Sequence, residues 1–526
     1  MKTSEGQPPD DAPSPTDEIA AWIARHGIDG VAPDGVEWIQ THISHVFLVE
    51  DRVYKIRKGV TLPFLDFGNR AARNADCVSE VALNRRLAPD VYLGIVSLRL
   101  SDGALEVGPP TGGDLDPERE HAVLMRRLPA GRDALALLEA DRLAPEQLER
   151  VAGLLASFHE EVGLGEPAPF SREDWRERNA SPVLDCLETL DGCDLLEAGR
   201  LGALRKGALQ AIARLEPVFE ERRLGGRVVD AHGDLHLDHV WFETDEASPL
   251  LVDCLEFDTD LRQIDRASEV AFLAMDLAYR DRHDLAELLL SAYARESDDY
   301  DLYRLVDYYA AYRALVRAKV AALAASQESV APAQRSAARE SALRHVALAE
   351  SLLAPVGRGG IVLMCGTVGC GKSSVARIRA RKDGAVLLSS DRLRKRLAGR
   401  AETDHGEQAV DAGLYAPDRR EAVYEAMLTR AACVVESGRT AILDASFTRR
   451  ADRDRARRFA EEKGIDARLI EVRCDPTVAH ERLTARAQAG NDPSDAGPDF
   501  LAISIERFEA PDEWPEADRE VVRTDT

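Results

Sequence analysis

One stretch of the 526-residue chain restricts its fold more than any other: GTVGCGKS, residues 366 to 373. It fits the pattern G-x-x-x-x-G-K-[ST] and lies between the apolar run IVLMC and the helical pattern SSVARIRA, where that pattern has to lie. Gly366 and Gly371 allow the backbone to curl so that its N–H groups face phosphate oxygens at the positive end of a helix. We therefore predict a phosphate-binding (Walker A) loop. The strand–loop–helix context disfavours the alternative, a tight glycine turn without a nucleotide.

This loop predicts ATP with Mg²⁺ as the cofactors. Lys372 is expected to reach the β- and γ-phosphates and Ser373 to bind the magnesium ion. The nucleotide-binding residues that we predict in the loop are Gly366, Thr367, Gly369, Cys370, Gly371, Lys372, Ser373 and Ser374.

The surrounding pattern predicts a parallel α/β sheet. Four apolar, β-rich runs, IVLMC, AVLLSS, TAILDASF and ARLIEVRC, are separated by helical segments. Just past the second run, Asp391 is a candidate to accept the proton of an attacking hydroxyl, and Arg394 and Arg396 behind it are candidates to bind an anionic substrate. The alternative interpretation is that Asp391 only caps the following helix.

Three further residues are candidates for this site. Asp444 ends the third run, where a carboxylate can orient magnesium-bound water or the substrate. Arg482 and Arg486 are four apart on one helical face, followed by GNDPSDAG, a pattern that predicts a lid bringing arginines to the transferring phosphate. A solvated helix face explains these two arginines almost equally well.

A second polar stretch, HGDLHLDHVWF at 232 to 242, packs three histidines and two aspartates into eight positions. It admits three interpretations: a metal cluster, a kinase-type catalytic loop, or a polar loop without chemistry. An acidic partner recurs 19 residues after Asp234, where LLVDCLEFD ends a strand on Asp253. That spacing favours the kinase-type loop over a histidine–metal site.

HGDLH resembles the catalytic loop of aminoglycoside phosphotransferases and related small-molecule kinases. The resemblance, which covers about residues 17 to 350, implies that Asp234 orients and deprotonates the acceptor hydroxyl and that Asp253 binds magnesium. It also implies that Lys55 in RVYKIRK binds the α- and β-phosphates with Glu80 as its ion-pair partner. VEWIQTHISHVFLV is interpreted as one strand before RVYKIRK. Lys58 is the reserve candidate, because strand alternation puts it on the opposite face.

One residue departs from that family's pattern. The family has a magnesium-binding asparagine five residues after the catalytic aspartate, and this chain has His239 there. We keep His239 as a candidate metal ligand, although imidazole suits softer ions than magnesium. Asp265 matches the aspartate that braces the catalytic loop from a helix start.

The P-loop half resembles AAA-type kinases related to polynucleotide kinase, gluconate kinase and zeta-toxin kinases, over about residues 358 to 526. The whole chain thus resembles bifunctional proteins that join an aminoglycoside phosphotransferase-like domain to an ATP-binding P-loop domain. The predicted fold is a two-domain one: an α+β protein-kinase-like fold followed by an α/β P-loop kinase fold with a parallel sheet. The predicted boundaries are a disordered acidic lead-in at 1–16, a kinase-like domain at 17–350, a linker at 351–360 and a P-loop domain at 361–526.

Composition limits the possible partners. A net charge of −25 opposes tight binding to nucleic acid, so a nucleic-acid partner is not expected. The first residues lack the apolar middle of a secretion signal, and no apolar run approaches the roughly 18 residues of a membrane span. Together with scattered cysteines, these features predict a cytoplasmic protein without a membrane partner.

The predicted function is an ATP-dependent phosphotransferase that moves the γ-phosphate to a hydroxyl of a small molecule. Two alternatives stay open. One is an ATP-binding or ATP-hydrolysing regulatory protein with a degenerate, ligand-sensing kinase-like domain. The other is a nucleic-acid end kinase, against which the net charge counts.

Overall fold

The computed structural model describes residues 14–62, 65–328, 330–400, 417–489 and 497–525. The predicted lead-in up to residue 13 and lid residues 490–496 therefore lie outside the described residues. The chain divides into two compact units. The first comprises Met1–Gln147, Glu161–Leu164 and Val228–Glu269, and the second comprises Leu148–Glu160, Gly165–Arg227 and Val270–Thr526. The predicted domain boundaries follow the sequence motifs instead, and they stay a prediction.

The first unit contains a six-stranded antiparallel sheet with the order β1-β2-β3-β8-β6-β7 and a small β4–β5 pair. Its strands are β1 (Val36–Gln40), β2 (Ser44–Val49), β3 (Arg52–Arg57), β4 (Thr61–Leu62), β5 (Leu65–Asp66), β6 (Tyr92–Ser101), β7 (Ala104–Val107) and β8 (Glu120–Arg126). Its first three helices are α1 (Pro15–His26), α2 (Arg70–Asn84) and α3 (Ala134–Glu139).

Side chains alternate between the two faces of β3. Tyr54 and Ile56 are buried with Ile19 and Ile23 of α1 in one hydrophobic core. Lys55 and Arg57 therefore share the opposite face, where both form ion pairs with residues of α2.

The run predicted as one strand, residues 36–49, is two strands. The N–H of Ser44 donates to Oγ1 of Thr41 at 2.9 Å, which closes a turn, so β1 and β2 pair with each other in antiparallel fashion. The hairpin was missed because both strands are apolar and no glycine or proline marks the turn.

The same unit continues with short elements that carry the polar loop. They are β9 (Val228–Asp230), the 3₁₀ turn Leu237–His239, β10 (Val240–Trp241), β11 (Leu250–Leu251), α7 (Thr259–Arg262) and β12 (Gln263–Asp265). β9 pairs with β12, and β10 pairs with β11. The paired strands fix the ends of two loops. Residues 231–239 connect β9 to β10, and residues 252–258 follow β11.

The second unit contains a set of helices and a parallel sheet. Its helices before the sheet, two of which begin or end just outside the unit, are α4 (Pro145–Glu161), α5 (Arg172–Gly192), α6 (Ala198–Leu224), α8 (Arg266–Tyr279), α9 (His283–Ser297), α10 (Val306–Ser326) and α11 (Pro332–Leu353), with the 3₁₀ helix Tyr300–Arg304 between α9 and α10. Among the described residues, none of the helices combines the length and the apolar character that a bilayer crossing requires.

The predicted parallel sheet is present, with the strand order β14-β15-β13-β16-β17. Its strands are β13 (Ile361–Cys365), β14 (Val386–Ser389), β15 (Ala441–Asp444), β16 (Ala467–Arg473) and β17 (Arg519–Arg523). The helices around it are α12 (Lys372–Asp383), α13 (Ser390–Leu397), α14 (Pro417–Glu436), α15 (Arg450–Lys463), α16 (Pro476–Ala489) and α17 (Asp499–Glu506). The fifth strand, β17, was not predicted, because its sequence REVVR is short and mostly charged or exposed.

Candidate active sites

Lys55 lies between two carboxylates in the first unit. Its ammonium is 2.8 Å from Oε1 of Glu80 on α2 and 2.7 Å from Oδ1 of Asp253. Burial alone would disfavour the ammonium, but Asp253 and Glu80 raise the pKa of Lys55 above its ordinary value, so it stays charged. The reserve candidate Lys58 instead bonds the carbonyl of Thr41 at 2.7 Å. The structure therefore brings Lys55, Glu80 and Asp253 together and leaves Lys58 out.

Sequence reasoning missed a second cation beside this group. Arg57 is almost fully buried, and its guanidinium bonds Asp76, Glu80 and Glu256. Burial and the nearby carboxylate of Glu80 raise the pKa of Glu256 to about 8, although Arg57 opposes this. The two-residue spacing of Lys55 and Arg57 in a strand was the available signal, because it puts both on one face.

Buried groups hold the loop that contains Asp234 in place. Nε2 of His232 donates to the carbonyl of Val252 at 2.8 Å, and the backbone N–H groups of His232 and Gly233 donate to the carboxylate of Glu269 at 2.9 and 3.1 Å. Gly233 has φ +88°, and a Cβ there would lie 3.2 Å from that of Leu255, so a side chain would disturb the loop. Glu269 was not predicted as a brace.

Asp265, which was predicted as the brace, accepts a hydrogen bond from the N–H of Ala267 at the start of α8. It lies in β12, which pairs with β9 directly before the loop. Glu269, four residues after Asp265, is a carboxylate brace of the loop that the resemblance did not indicate.

Asp234 itself is partly exposed and sits among imidazoles. Burial would raise its pKa, but His236 and His239 hold the pKa of Asp234 well below its usual value, so it is ionised and able to accept a proton. The ligand atoms of Asp234, His236 and His239 all lie within 4.8 Å of one another.

His239 faces Asp253. Its Nδ1 lies 2.8 Å from the carbonyl oxygen of Asp234, and because a carbonyl only accepts, Nδ1 carries the proton. Burial and the neighbouring His236 lower the pKa of His239, which favours the neutral ring. Nε2 is then an acceptor 3.5 Å from Oδ2 of Asp253, which is also an acceptor. Two acceptors that face each other fit a divalent cation between them, and an imidazole donor suits manganese better than magnesium.

The glycines of the P-loop in the second unit form a cradle that side chains would fill. A Cβ at Gly366 would lie 2.4 Å from the carbonyl oxygen of Val472, and one at Gly369 would lie 2.8 Å from that of Ala479. Gly371 has φ +91° directly before α12. The loop therefore keeps its curl and its N–H groups at the start of a helix, as phosphate binding requires.

The predicted lysine and serine lie at the first turn of α12, followed by Ser374. The ammonium of Lys372 bonds the carbonyl of Thr367 at 2.7 Å within the loop itself. The Ser373 hydroxyl bonds the carboxylate of Asp444, which is buried at the end of β15. Burial raises the pKa of Asp444 to about 6, although Ser373 and Lys372 act in the opposite direction. Ser373 and Asp444 form the pair of oxygen donors that fits a magnesium ion beside the loop.

Asp391 lies close to this pair. Strands β14 and β15 are neighbours, with Ser389 in register with Asp444, and Asp391 follows in the first turn of α13. Its charge contributes to the raised pKa of Asp444. Asp391 forms an ion pair with Arg394, the second predicted residue of this helix. Arg396, by contrast, donates to the carbonyl of Glu296.

Arg482 lies next to the P-loop, and Arg486 is one helical turn further along α16. Nη1 and Nη2 of Arg482 bond Oγ1 and the carbonyl of Thr524 at 2.9 and 2.5 Å, and Oγ1 of Thr524 donates to the carbonyl of Cys370 at 2.8 Å. The C-terminal residues that follow β17 therefore connect Arg482 to the loop. The lid that was predicted after Arg486 lies outside the described residues.

Residues 361–511 match the AAA_33 family model, described as "AAA domain". "Uncharacterized protein Rv2004c" of Mycobacterium tuberculosis strain H37Rv is 33% identical over 463 residues, which cover 86% of this chain and 86% of the relative. The chain belongs to the family of this mycobacterial protein.

Two solved structures are each similar to a part of this chain. A putative aminoglycoside phosphotransferase from Ralstonia eutropha JMP134 is 13% identical, with 64% of this chain and 98% of the other covered and a TM-score of 0.33. A gluconokinase from Sinorhizobium meliloti 1021 is 22% identical, with 32% and 84% covered and a TM-score of 0.23. Residues 361–511 match an AAA-type domain, and the Lys55–Glu80 pair and the Asp234 loop lie in the part of the chain that precedes it.

Proposed function

We propose that this protein is an ATP-dependent phosphotransferase whose P-loop site moves the γ-phosphate to a hydroxyl of a small molecule. One observation carries the proposal: Ser373, Asp444 and Asp391 meet at the carboxyl ends of two adjacent strands beside the glycine cradle. Binding of MgATP needs the cradle, the serine and a carboxylate such as Asp444. A carboxylate on the first turn of the next helix is what an acceptor hydroxyl needs in addition.

In this proposal each residue has a separate role. The loop N–H groups and Lys372 bind phosphate oxygens, and Ser373 with Asp444 holds the magnesium ion. MgATP supplies the phosphoryl group and its charge neutralisation. Asp391 accepts the proton of the acceptor hydroxyl, and Arg394 keeps that carboxylate aligned through their ion pair. Arg482 and Arg486 supply positive charge near the transferring group.

The kinase-like site is proposed as a second nucleotide site of the same chemical class. Lys55, held by Glu80, binds phosphate oxygens, and Asp253 with His239 holds the divalent cation. Asp234, which is ionised and partly exposed, accepts the proton of an acceptor hydroxyl.

One alternative has an observation in its favour. His239 stands where the resembled kinases have asparagine, which is compatible with a kinase-like part that binds nucleotide or ligand and regulates ATP hydrolysis at the P-loop. The third candidate, a nucleic-acid end kinase, is disfavoured by the net charge of −25. A cytoplasmic location and the absence of membrane partners stay predictions.

The test is a transfer screen on the full chain with γ-labelled ATP and fractionated small-molecule extracts. The proposal expects label in at least one small molecule, and it expects Lys372→Ala or Asp391→Asn to remove P-loop-dependent label. Release of inorganic phosphate only, in every fraction, favours the regulatory ATPase. If an oligonucleotide is offered as the acceptor instead, label at its ends would support the end kinase.

A further inference from the structure

The edge strand of the parallel sheet is covered by side chains of the helical segment in the same unit. β14 is one of the two outermost strands, and such edges leave backbone groups without strand partners. Here the N–H of Leu387 donates to Oγ of Ser291 at 3.4 Å, and the buried hydroxyl of Tyr300 donates to the carbonyl of Leu387 at 3.2 Å. Ser291 and Tyr300 thus supply the bonds that another strand would supply.

In the part of the chain that the structure describes, Glu296 of α9 bonds two arginines of the next element, α13. Nη1 of Arg392 bonds Oε1 of Glu296 at 3.1 Å, and Nη2 of Arg396 bonds the Glu296 carbonyl at 2.7 Å. Arg392 and Arg396 are four residues apart, so they lie on one face of α13. Arg295 donates a further bond to Oε1 of Glu296 at 3.0 Å. Charge-assisted bonds of this kind fix both position and direction.

Two more arginines extend this contact to the elements beside α13. Arg430 of α14 makes two bonds to Asp298, at 2.7 and 2.5 Å. Arg439, just before β15, bonds Glu287 at 2.8 Å and Asp307 at 2.8 Å. Planar two-point pairs resist rotation, so α14 and β15 are oriented together with β14 and α13.

We infer that residues 287–307 position the acceptor side of the P-loop site and that Glu296 holds Asp391 in place through Arg392, Arg396 and α13. This inference rests on the phosphotransferase function proposed above. Asp391 lies in the first turn of α13, the helix whose arginines bond Glu296. The charge of Asp391 contributes to the raised pKa of Asp444, so the two carboxylates lie close together. A small displacement of α13 would move the proton acceptor while leaving the glycine cradle and Lys372 unchanged. Glu296 is a positioning residue and does not touch the nucleotide loop.

The consequence is a specific kinetic signature. Loss of Glu296 is expected to lower the turnover number of the P-loop site without changing its affinity for ATP, because only the acceptor side moves. A displacement of about 1 Å in a reacting group costs roughly tenfold to hundredfold in rate. A residue that only supports folding would lower turnover, affinity and thermal stability together.

The experiment compares full-length Glu296→Ala, which removes the carboxylate that Arg392 bonds, with Glu149→Ala. The control removes an ion pair of α4 with Arg381 on α12, which likewise joins a helix to the P-loop fold but does not touch α13. The turnover of MgATP that counts is the fraction that Lys372→Ala abolishes. KM for ATP and the unfolding temperature are measured on the same proteins. Amide hydrogen exchange of residues 386–397 reports the position of α13 independently of turnover.

We expect Glu296→Ala to lower kcat about tenfold, to leave KM for ATP and the unfolding temperature unchanged and to raise exchange in α13. The control should match the wild type, and Arg392→Ala should add nothing to Glu296→Ala. Unchanged kcat or unchanged exchange would overturn the inference, as would a parallel fall in kcat, ATP affinity and unfolding temperature. Absence of Lys372-dependent turnover in the wild type would contradict the proposed function, and exchange in α13 would then decide the inference alone.

Discussion

The ammonium of Lys55 lies 2.7 Å from Oδ1 of Asp253, although 198 positions separate the two residues in the chain. With Glu80 on its other side, Lys55 is a fixed cation beside a fixed anion, an arrangement that fits phosphate oxygens and a divalent cation together. On the function proposed above, a chain with this group and a P-loop has two nucleotide sites.

The first prediction concerns the number of nucleotides bound. Calorimetric titration of the wild type with a non-hydrolysable ATP analogue and magnesium should give two sites per chain, and Lys55→Met should remove one of them. Arg57 still neutralises Glu80 in that variant, so the fold should be retained. The matched control is Lys58→Met, since Lys58 bonds Gln40 and Thr41 instead. Equal stoichiometry for both variants would contradict the kinase-like site.

The second prediction concerns the metal at that site. In a Lys372→Ala background, the wild type should bind the manganese complex of the analogue more tightly than the magnesium complex, because Nε2 of His239 faces Asp253 as a nitrogen donor. His239→Asn should lower this manganese preference while leaving magnesium-supported binding intact. An exposed histidine of the same unit, replaced in His26→Asn, is the control. If His239→Asn leaves the ratio of the two affinities unchanged, His239 is not a ligand.

The third prediction is a pH dependence set by Asp444. Its pKa is raised from 3.8 to about 6 in the folded protein, so the folded state holds the proton more tightly than the unfolded state. The ionised group therefore costs stability: the cost is absent below pH 4 and fully present above pH 6, where it amounts to about 2 to 3 kcal/mol. Denaturant unfolding of Asp444→Asn should accordingly show a gain over the wild type at pH 8 that disappears at pH 4. A gain that is equal at both pH values would show that Asp444 does not titrate in this window.

The fourth prediction tests the brace of the Asp234 loop. Glu269→Gln turns an acceptor of two backbone N–H groups into a side chain that presents an N–H₂ group to one of them. The unfolding free energy of the first unit should fall by about 2 kcal/mol, and nucleotide binding there should weaken. Glu246→Gln, at an exposed position near the same loop, is the control. Equal unfolding curves for the two variants would show that Glu269 does not brace the loop.

Much of the P-loop half could be predicted from sequence because its signals are local. The glycine spacing, the apolar runs and the aspartates that end them depend on neighbours within a few residues, and the parallel sheet follows from their alternation. The strand β17 was missed because its residues are charged and exposed, so its place in the sheet depends on β16 rather than on its own pattern.

The residues that were missed act across long separations. Arg57 pairs with Glu256, and Glu269 accepts from the backbone of His232, but neither partner is visible in a one-dimensional pattern. The same holds for Glu296 and Arg392, which belong to different predicted domains. Residue types and spacings led to the candidate residues for the chemistry, whereas the groups that hold them in place were visible only in the structure.

The most direct test of the central claim is ATP-dependent transfer by the full chain in an Asp234→Asn background, which leaves the P-loop site as the only proposed source of turnover. Four proteins are compared: the background itself, Lys372→Ala, Asp391→Asn and Lys382→Ala, whose exposed lysine lies on the same helix as Lys372. The account predicts that Lys372→Ala loses nucleotide binding and transfer together, and that Asp391→Asn keeps binding but loses transfer by at least about a hundredfold. Lys382→Ala should match the background. Transfer that persists in Lys372→Ala at the level of Lys382→Ala would contradict the account.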